Sequence, residues 1–261
     1  MIVARHPAGA VAITQADHAV MCAEFADAWS SLRDSPFAAD VRLAAEQHEL
    51  GWAERDAAPR LNPATGLPFS LRDLPFREYI DAQLVGPREL GERSPYAGLL
   101  ASLHYASFYR RPAPWSVRAD DRILRSFLAR SSHLQAALAR RAGVGVEDPQ
   151  TVRDAGLVRC WDGLSYDLLL DRVPGTRPLA PLSSGDPAAL QLERRGDRVT
   201  IEPWPFAPAR LEVHAQGRLL AGTYGSEAEL HAALAAAEVV ILAYTLVPAA
   251  SLPADAGPML Y

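Results

Sequence analysis

Hydrophobic positions alternate at the start of the chain and then fall into helical spacing. The opening MIVARHPAGAVAIT alternates around a Pro-Ala-Gly turn signal and predicts a two-stranded hairpin over residues 1–14. From residue 15 to about 31, His18, Cys22, Phe25 and Trp29 recur at intervals of four, three and four, one face of a helix. His18 is therefore expected to point inward. A second helix, about 37–52, places Val41, Ala44, Ala45, His48 and Trp52 on one side, with Pro36 suited to its start. Residues 57–75 hold four of the 21 prolines and an Asn-Pro-Ala-Thr-Gly turn, which predicts a long irregular loop.

Further helices are predicted over 76–90, 96–109, 120–141 and 150–171. The helix at 96–109 is apolar apart from His104, and Asp162 interrupts the apolar pattern of the last one. After residue 173 the texture changes to proline, glycine and short alternating runs at 190–192, 199–202, 211–214, 218–220 and 239–247, read as strands. A helix with a Ser226-x-x-Glu229 capping signature interrupts them over 226–237. The expected fold is mainly α. A helical core over 15–173 carries a small appended sheet, built from the hairpin at 1–14 and the strands of a small α/β element at 174–261.

At 261 residues, 49% hydrophobic and 22% charged, the chain can bury one large core. No segment approaches ~18 consecutive apolar residues, and the first residues lack an apolar stretch followed by a cleavage site. A soluble cytoplasmic protein without membrane contact is expected. All 26 basic residues are arginine, which excludes Schiff-base chemistry, the P-loop lysine and the Ser-x-x-Lys nucleophile. A net charge of −5 without a basic run argues against a nucleic-acid surface. Cys22 and Cys160 lie in apolar helical patterns and form no Cys-x-x-Cys clip.

The informative feature is a set of polar residues at core-facing positions: His18, the doublet His48-Glu49, His104 and Asp162. Burying such groups unpaired costs several kcal/mol, so they must satisfy one another or a cation. Imidazole mixed with carboxylate suits zinc, manganese or iron. If the doublet lies on a helix, its two side chains point about 100° apart and reach one ion only from a helix lying over it. The zinc-protease motif is absent, because Trp52 stands where His-Glu-x-x-His needs its second histidine. Trp52, Asp56 and Arg60, which follow the doublet, are candidates for the mouth of the site. Arg60 would clamp a phosphate or carboxylate, and the loop at 57–75 would cover the pocket. Asp17 is a candidate acceptor behind His18.

The string AAEQHELGWAERDAAPRLNPATGLPFSL, with QADHA upstream and GLLASLHYASFY, CWDGLSYDLLLD and PWPF downstream, resembles the family called domain of unknown function 3891. The resemblance runs nearly end to end. That family's usual form has a His-Asp-x-Gly-Trp core, and its spaced His, His-Asp, His and Asp pattern is similar to that of HD-type metal phosphohydrolases. The resemblance implies an HD-like helical core and places His18, His48, Glu49, His104 and Asp162 at the ligand positions, with Glu49 departing from the pattern.

Neither a Gly-x-Ser-x-Gly elbow nor a dinucleotide-binding glycine loop is present, and Ser165 has no histidine at a diagnostic spacing. The leading expectation is a metal-dependent hydrolase of a small phosphorylated or nucleotide-like anion, with Glu49 and Asp162 as the catalytic carboxylates. Two other readings are carried beside it: a di-iron oxygenase, and a non-catalytic binding or regulatory protein whose metal site has decayed at Glu49.

Overall fold

The computed structural model describes residues 1–109, 121–178, 189–195 and 197–251. Strands β1 (Ile2–His6) and β2 (Gly9–Ile13) form the hairpin. Helix α1 (Gln15–Ala28) starts on Thr14, whose oxygen accepts the Asp17 N–H at 3.0 Å while its hydroxyl donates to the Asp17 carboxylate at 2.6 Å. Asp17 is committed to this cap and does not stand behind His18. Helix α2 (Ala38–Gln47) ends short of the expected boundary near 52. A 3-10 turn, Leu50–Trp52, and the short helix α3 (Ala53–Ala57) follow.

The proline-rich segment is less irregular than its composition predicts. Strands β3 (Leu61–Asn62) and β4 (Leu67–Pro68) pair, and a 3-10 turn follows at Leu71–Asp73. Helices α4 (Phe76–Arg93), α5 (Pro95–Ser107), α6 (Asp121–Ala142) and α7 (Pro149–Leu169) then complete the helical layer. Residue 120, the expected start of α6, lies outside the described residues. Ser94 caps α5 by accepting the Ala97 N–H at 3.1 Å, and Pro95 fills the first turn, where no N–H is required. Among the described residues no helix is long and apolar enough to cross a membrane.

The strands correct the expected fold class. Of the described residues 54% are helical and 23% strand, an α/β fold whose sheet curls into a half-barrel. Strands β5 (Gly175–Pro178), β6 (Ala189–Arg195), β7 (Arg198–Glu202), β8 (Leu211–Leu220) and β9 (Val239–Pro248) join the hairpin in one seven-stranded sheet, ordered β1-β2-β8-β9-β7-β6-β5. Every neighbouring pair is antiparallel except β7 with β9. A mainly α, HD-like core with a small appended sheet is therefore not what this chain builds. The hairpin and the carboxy-terminal strands pair across some 200 residues of sequence, and no local pattern announces that pairing. Periodicity also splits β8 in two, because Gly217 breaks the alternation. A Cβ there would approach Val11 Cγ1 to 2.3 Å, so the Val11 side chain of the neighbouring strand β2 fills the space that a side chain would take.

Helix α8 (Glu227–Ala236) begins at Ser226, which accepts the Glu229 N–H at 3.3 Å as its signature predicts. Helix α1 packs on β8, and Glu24 accepts the His214 N–H at 2.7 Å on the strand edge that β2 leaves uncovered. The rings of Phe25, Trp29, Trp161 and Phe206 meet between helices and sheet, with centroids 5.4–5.9 Å apart. Helices α1, α2 and α7 pack on one another, and α5 packs on α2 and α7. All the candidate ligands belong to this group or to the turn that ends α2.

Candidate metal centre

His18 comes from the first turn of α1, His104 from α5 and Asp162 from α7, while His48 and Glu49 occupy the bend where α2 stops. The two side chains meet there, with His48 Nε2 3.6 Å from Glu49 Oε1. The bend is pressed against α4. A Cβ on Gly51 would lie 2.1 Å from the Ala82 carbonyl oxygen, so the chain passes where only glycine fits. Tyr105 secures it from the other side. Its hydroxyl lies 2.9 Å from the His48 carbonyl and 2.7 Å from Glu49 Oε2, with one proton to share between them.

One potential ligand atom from each of His18, His48, Glu49 and Asp162 lies within 4.8 Å of the others, and all four residues are buried. His18 Nε2 is 3.5 Å from Glu49 Oε1 and 3.5 Å from Asp162 Oδ1, and His48 Nε2 is 3.6 Å from the same two oxygens. These spacings lie near the ~3.4 Å edge of a tetrahedron whose corners stand about 2.1 Å from a central ion.

The tautomers follow from the hydrogen bonds. His48 Nδ1 lies 2.9 Å from the Ala45 carbonyl, which can only accept, so the proton is on Nδ1. Ser165 donates its hydroxyl to the Asp162 carbonyl at 2.7 Å and is left to accept from His18 Nδ1 at 2.7 Å. Both Nε2 lone pairs thus face the carboxylates, buried and without a hydrogen-bond partner. Lone pairs and carboxylates gathered in this way repel unless a cation lies among them.

The electrostatics point the same way. Burial pushes the Asp162 carboxyl upward, but the three histidines outweigh it and hold it well below the usual carboxylate range. Glu49 is raised by burial and lowered more by His18 and His48, so it too stays ionised. Burial opposes a charge on His48, yet Asp162 and Glu49 raise its pKa, the response of a site that attracts positive charge. A divalent ion would take the place of that positive charge, leaving the imidazoles neutral and its own charge cancelled by the two buried carboxylates. Cys22 lies 3.9 Å from His18 Nδ1, but burial and then Asp162 push its thiol up, so it does not compete as a thiolate.

His104 sits beside this group rather than within it. Its Nε2 is 3.8 Å from Asp162 Oδ2, the oxygen turned away from His18 and His48, and neither ring nitrogen has a hydrogen-bond partner. Burial brings its pKa down to about 3, only partly offset by Asp162, so the ring is neutral.

A family model described as Protein of unknown function (DUF3891) matches residues 1–222. The chain belongs to the DUF3891 family. Comparison of this DUF3891 member with curated proteins and with solved structures gave no match.

The three residues expected at the mouth of the DUF3891 site are divided between two grooves. Trp52 is buried against Tyr79, with ring centroids 5.3 Å apart, and shares a groove of about 490 Å³ with Arg60. Arg60 is paired with Glu78 at 2.9 Å and lies over the Phe69 ring at 5.4 Å. Its loop docks on the far end of the sheet, where the Tyr224 N–H reaches the Gly66 carbonyl at 2.8 Å and His231 Nε2 reaches the Pro59 carbonyl at 2.8 Å. Asp56 lines a second groove of about 270 Å³ with Glu49, but its carboxylate accepts the Gln15 N–H and lies 3.0 Å from the Met1 amine. It anchors the start of α1. The supporting residues missed in the sequence are Tyr105 and Ser165. Each had a signal, since Tyr105 adjoins His104 and Ser165 stands three residues, one helical turn, after Asp162. Ser165 does have a histidine partner, His18, which orients the imidazole. It is no nucleophile, because its proton is already given to a carbonyl.

Proposed function

We propose that this DUF3891 member is a metal-dependent hydrolase acting on a small anionic compound, phosphorylated or nucleotide-like. The observation that carries this reading is the pair of tautomer-locked histidines whose unpartnered Nε2 atoms face two ionised, buried carboxylates at 3.5–3.6 Å. His18, His48, Glu49 and Asp162 would hold one divalent ion, with zinc, manganese and iron as the candidates that suit mixed imidazole and carboxylate. Such an ion polarises a phosphoryl oxygen and acidifies a water molecule.

The chain's own residues supply the rest. Asp162 Oδ2, directed toward His104, would orient the attacking water. The water oxygen bonds to phosphorus, the ester P–O bond breaks, and the proton lost by the water ends on the leaving oxygen. Neutral His104 orients the reactants at that oxygen without adding a charge. The position of Glu49 argues against the decayed-site alternative: Oε1 stands as close to the two histidines as Asp162 does, so the longer side chain still reaches the cluster.

Elemental analysis of the purified protein tests the reading. About one equivalent of zinc, manganese or iron per chain is expected, together with metal-dependent hydrolysis of a phosphate ester from a panel. His18→Ala and Asp162→Asn should abolish both. A protein that takes up no transition metal, or holds it equally well after both substitutions, would rule the proposal out.

A further inference from the structure

Arg159 lies three residues before Asp162 on α7, the spacing that puts two side chains on one helix face. Its guanidinium carbon is 5.0 Å from the centroid of the Phe108 ring, and its NH1 donates to Ser107 Oγ. Phe108 meets His104 edge-on with centroids 4.8 Å apart, and His104 reaches Asp162 Oδ2. The four side chains form one row, and the charge of Arg159 is felt at His104. Ser107, Phe108 and Arg159 are half-buried while His104 is 1% exposed, so exposure falls along the row from the guanidinium to the imidazole. The groove of about 270 Å³ that reaches Glu49 is lined by Glu46 and Asp56 and by no arginine, so it offers an anion no partner.

We infer that Arg159 is the residue that recognises the substrate's phosphoryl group, so that the substrate reaches the centre along the α5–α7 row and not through the carboxylate-lined groove. This rests on the metal-hydrolase reading above. Arginine presents a planar fork of N–H donors that matches two oxygens of a phosphate, and stacking on Phe108 holds that fork in place. Arg60, the sequence candidate for this role, lines a groove that none of the four ligands reaches. A carboxylate shares the oxyanion chemistry but presents only two oxygens, so phosphate and acetate serve as the distinguishing probes.

The experiment is titration of inorganic phosphate, and separately of acetate, into the zinc-loaded protein by calorimetry for the parent, Arg159→Gln and Arg159→Lys, with zinc content measured on each. Zinc content should be equal in all three. Phosphate should bind Arg159→Gln about tenfold to a hundredfold more weakly than the parent, the worth of charge-assisted hydrogen bonds, with Arg159→Lys in between. Parent-like phosphate affinity in Arg159→Gln, or no phosphate binding to the zinc-loaded parent, would overturn the inference while leaving the metal centre standing. Should the glutamine variant not fold, full phosphate affinity in Arg159→Lys overturns it equally. Acetate binding as tightly as phosphate would overturn the phosphoryl assignment. A parent that takes up no zinc, manganese or iron brings down the proposed function, and this inference with it.

Discussion

Ser165 and Ala45 do as much for the centre as the ligands, because they fix which nitrogen of each imidazole carries the proton. The Ala45 carbonyl cannot be removed by substitution, but the Ser165 hydroxyl can. Ser165→Ala frees His18 Nδ1 to rotate and to change tautomer, and loss of such an orienting partner typically weakens metal binding about 10–100-fold. Competition with a chromophoric chelator should show that loss with the fold intact, and an unchanged affinity would mean the tautomer argument is wrong. Glu49 provides a second test at this scale. Shortening it to aspartate withdraws the carboxylate by more than about 1 Å, whereas ligand distances tolerate only ~0.2 Å. The bend cannot follow, since Gly51 already touches α4. Glu49→Asp should therefore lower metal affinity at least about tenfold, although it restores the family-like doublet, and equal affinity would show that Glu49 does not touch the ion.

At the scale of elements, the decisive event is the end of α2. Amphipathic spacing carries His48 and Trp52 on one face, and a helix continued through 52 satisfies that pattern equally well. What stops it is tertiary: the close approach of Gly51 to the Ala82 carbonyl, and Tyr105 reaching the carbonyl that the helix end leaves open. Gly51→Ala places a methyl group against backbone that cannot move aside, a misfit of about 1–3 kcal/mol. Thermal unfolding should register that cost, and metal occupancy should fall with it because the bend carries two ligands. An alanine variant as stable and as metal-rich as the parent would show that the bend tolerates displacement. The proline-rich loop makes the opposite point. Composition marked it as irregular and placed it over the pocket, yet Pro59 and Gly66 tie it to the region of α8 and Tyr224.

For the whole molecule, the centre links elements that come from distant parts of the chain, and an ion there would bind only the folded state. A ligand present at about 100 times its Kd stabilises by roughly 2.7 kcal/mol. A chain of this size shifts its melting temperature by about 2–4 °C per kcal/mol. Chelation should therefore lower the melting temperature by several degrees, and readdition of zinc, manganese or iron should restore it. Asp162→Asn should make the protein indifferent to the chelator. If chelator left the parent's melting curve in place, no ion would be contributing to the fold.

What the amino-acid pattern determined by itself was local: the hairpin, the positions of the helices within a few residues, the α8 cap, and the inward direction of His18, His104 and Asp162. These depend on spacing and on backbone hydrogen bonds between near neighbours, so one stretch of sequence contains the whole cause. Tertiary structure alone decided the rest. The pairing of β2 with β8 and of β7 with β9 turned an expected appendage into a seven-stranded sheet. The packing of α1, α2 and α7 brought His18, the His48-Glu49 doublet and Asp162 together, and the packing of α5 on α7 put Arg159 beside Phe108 and His104. Each of these is a contact between residues far apart in sequence, and its energy depends on shapes that exist only once both partners are folded.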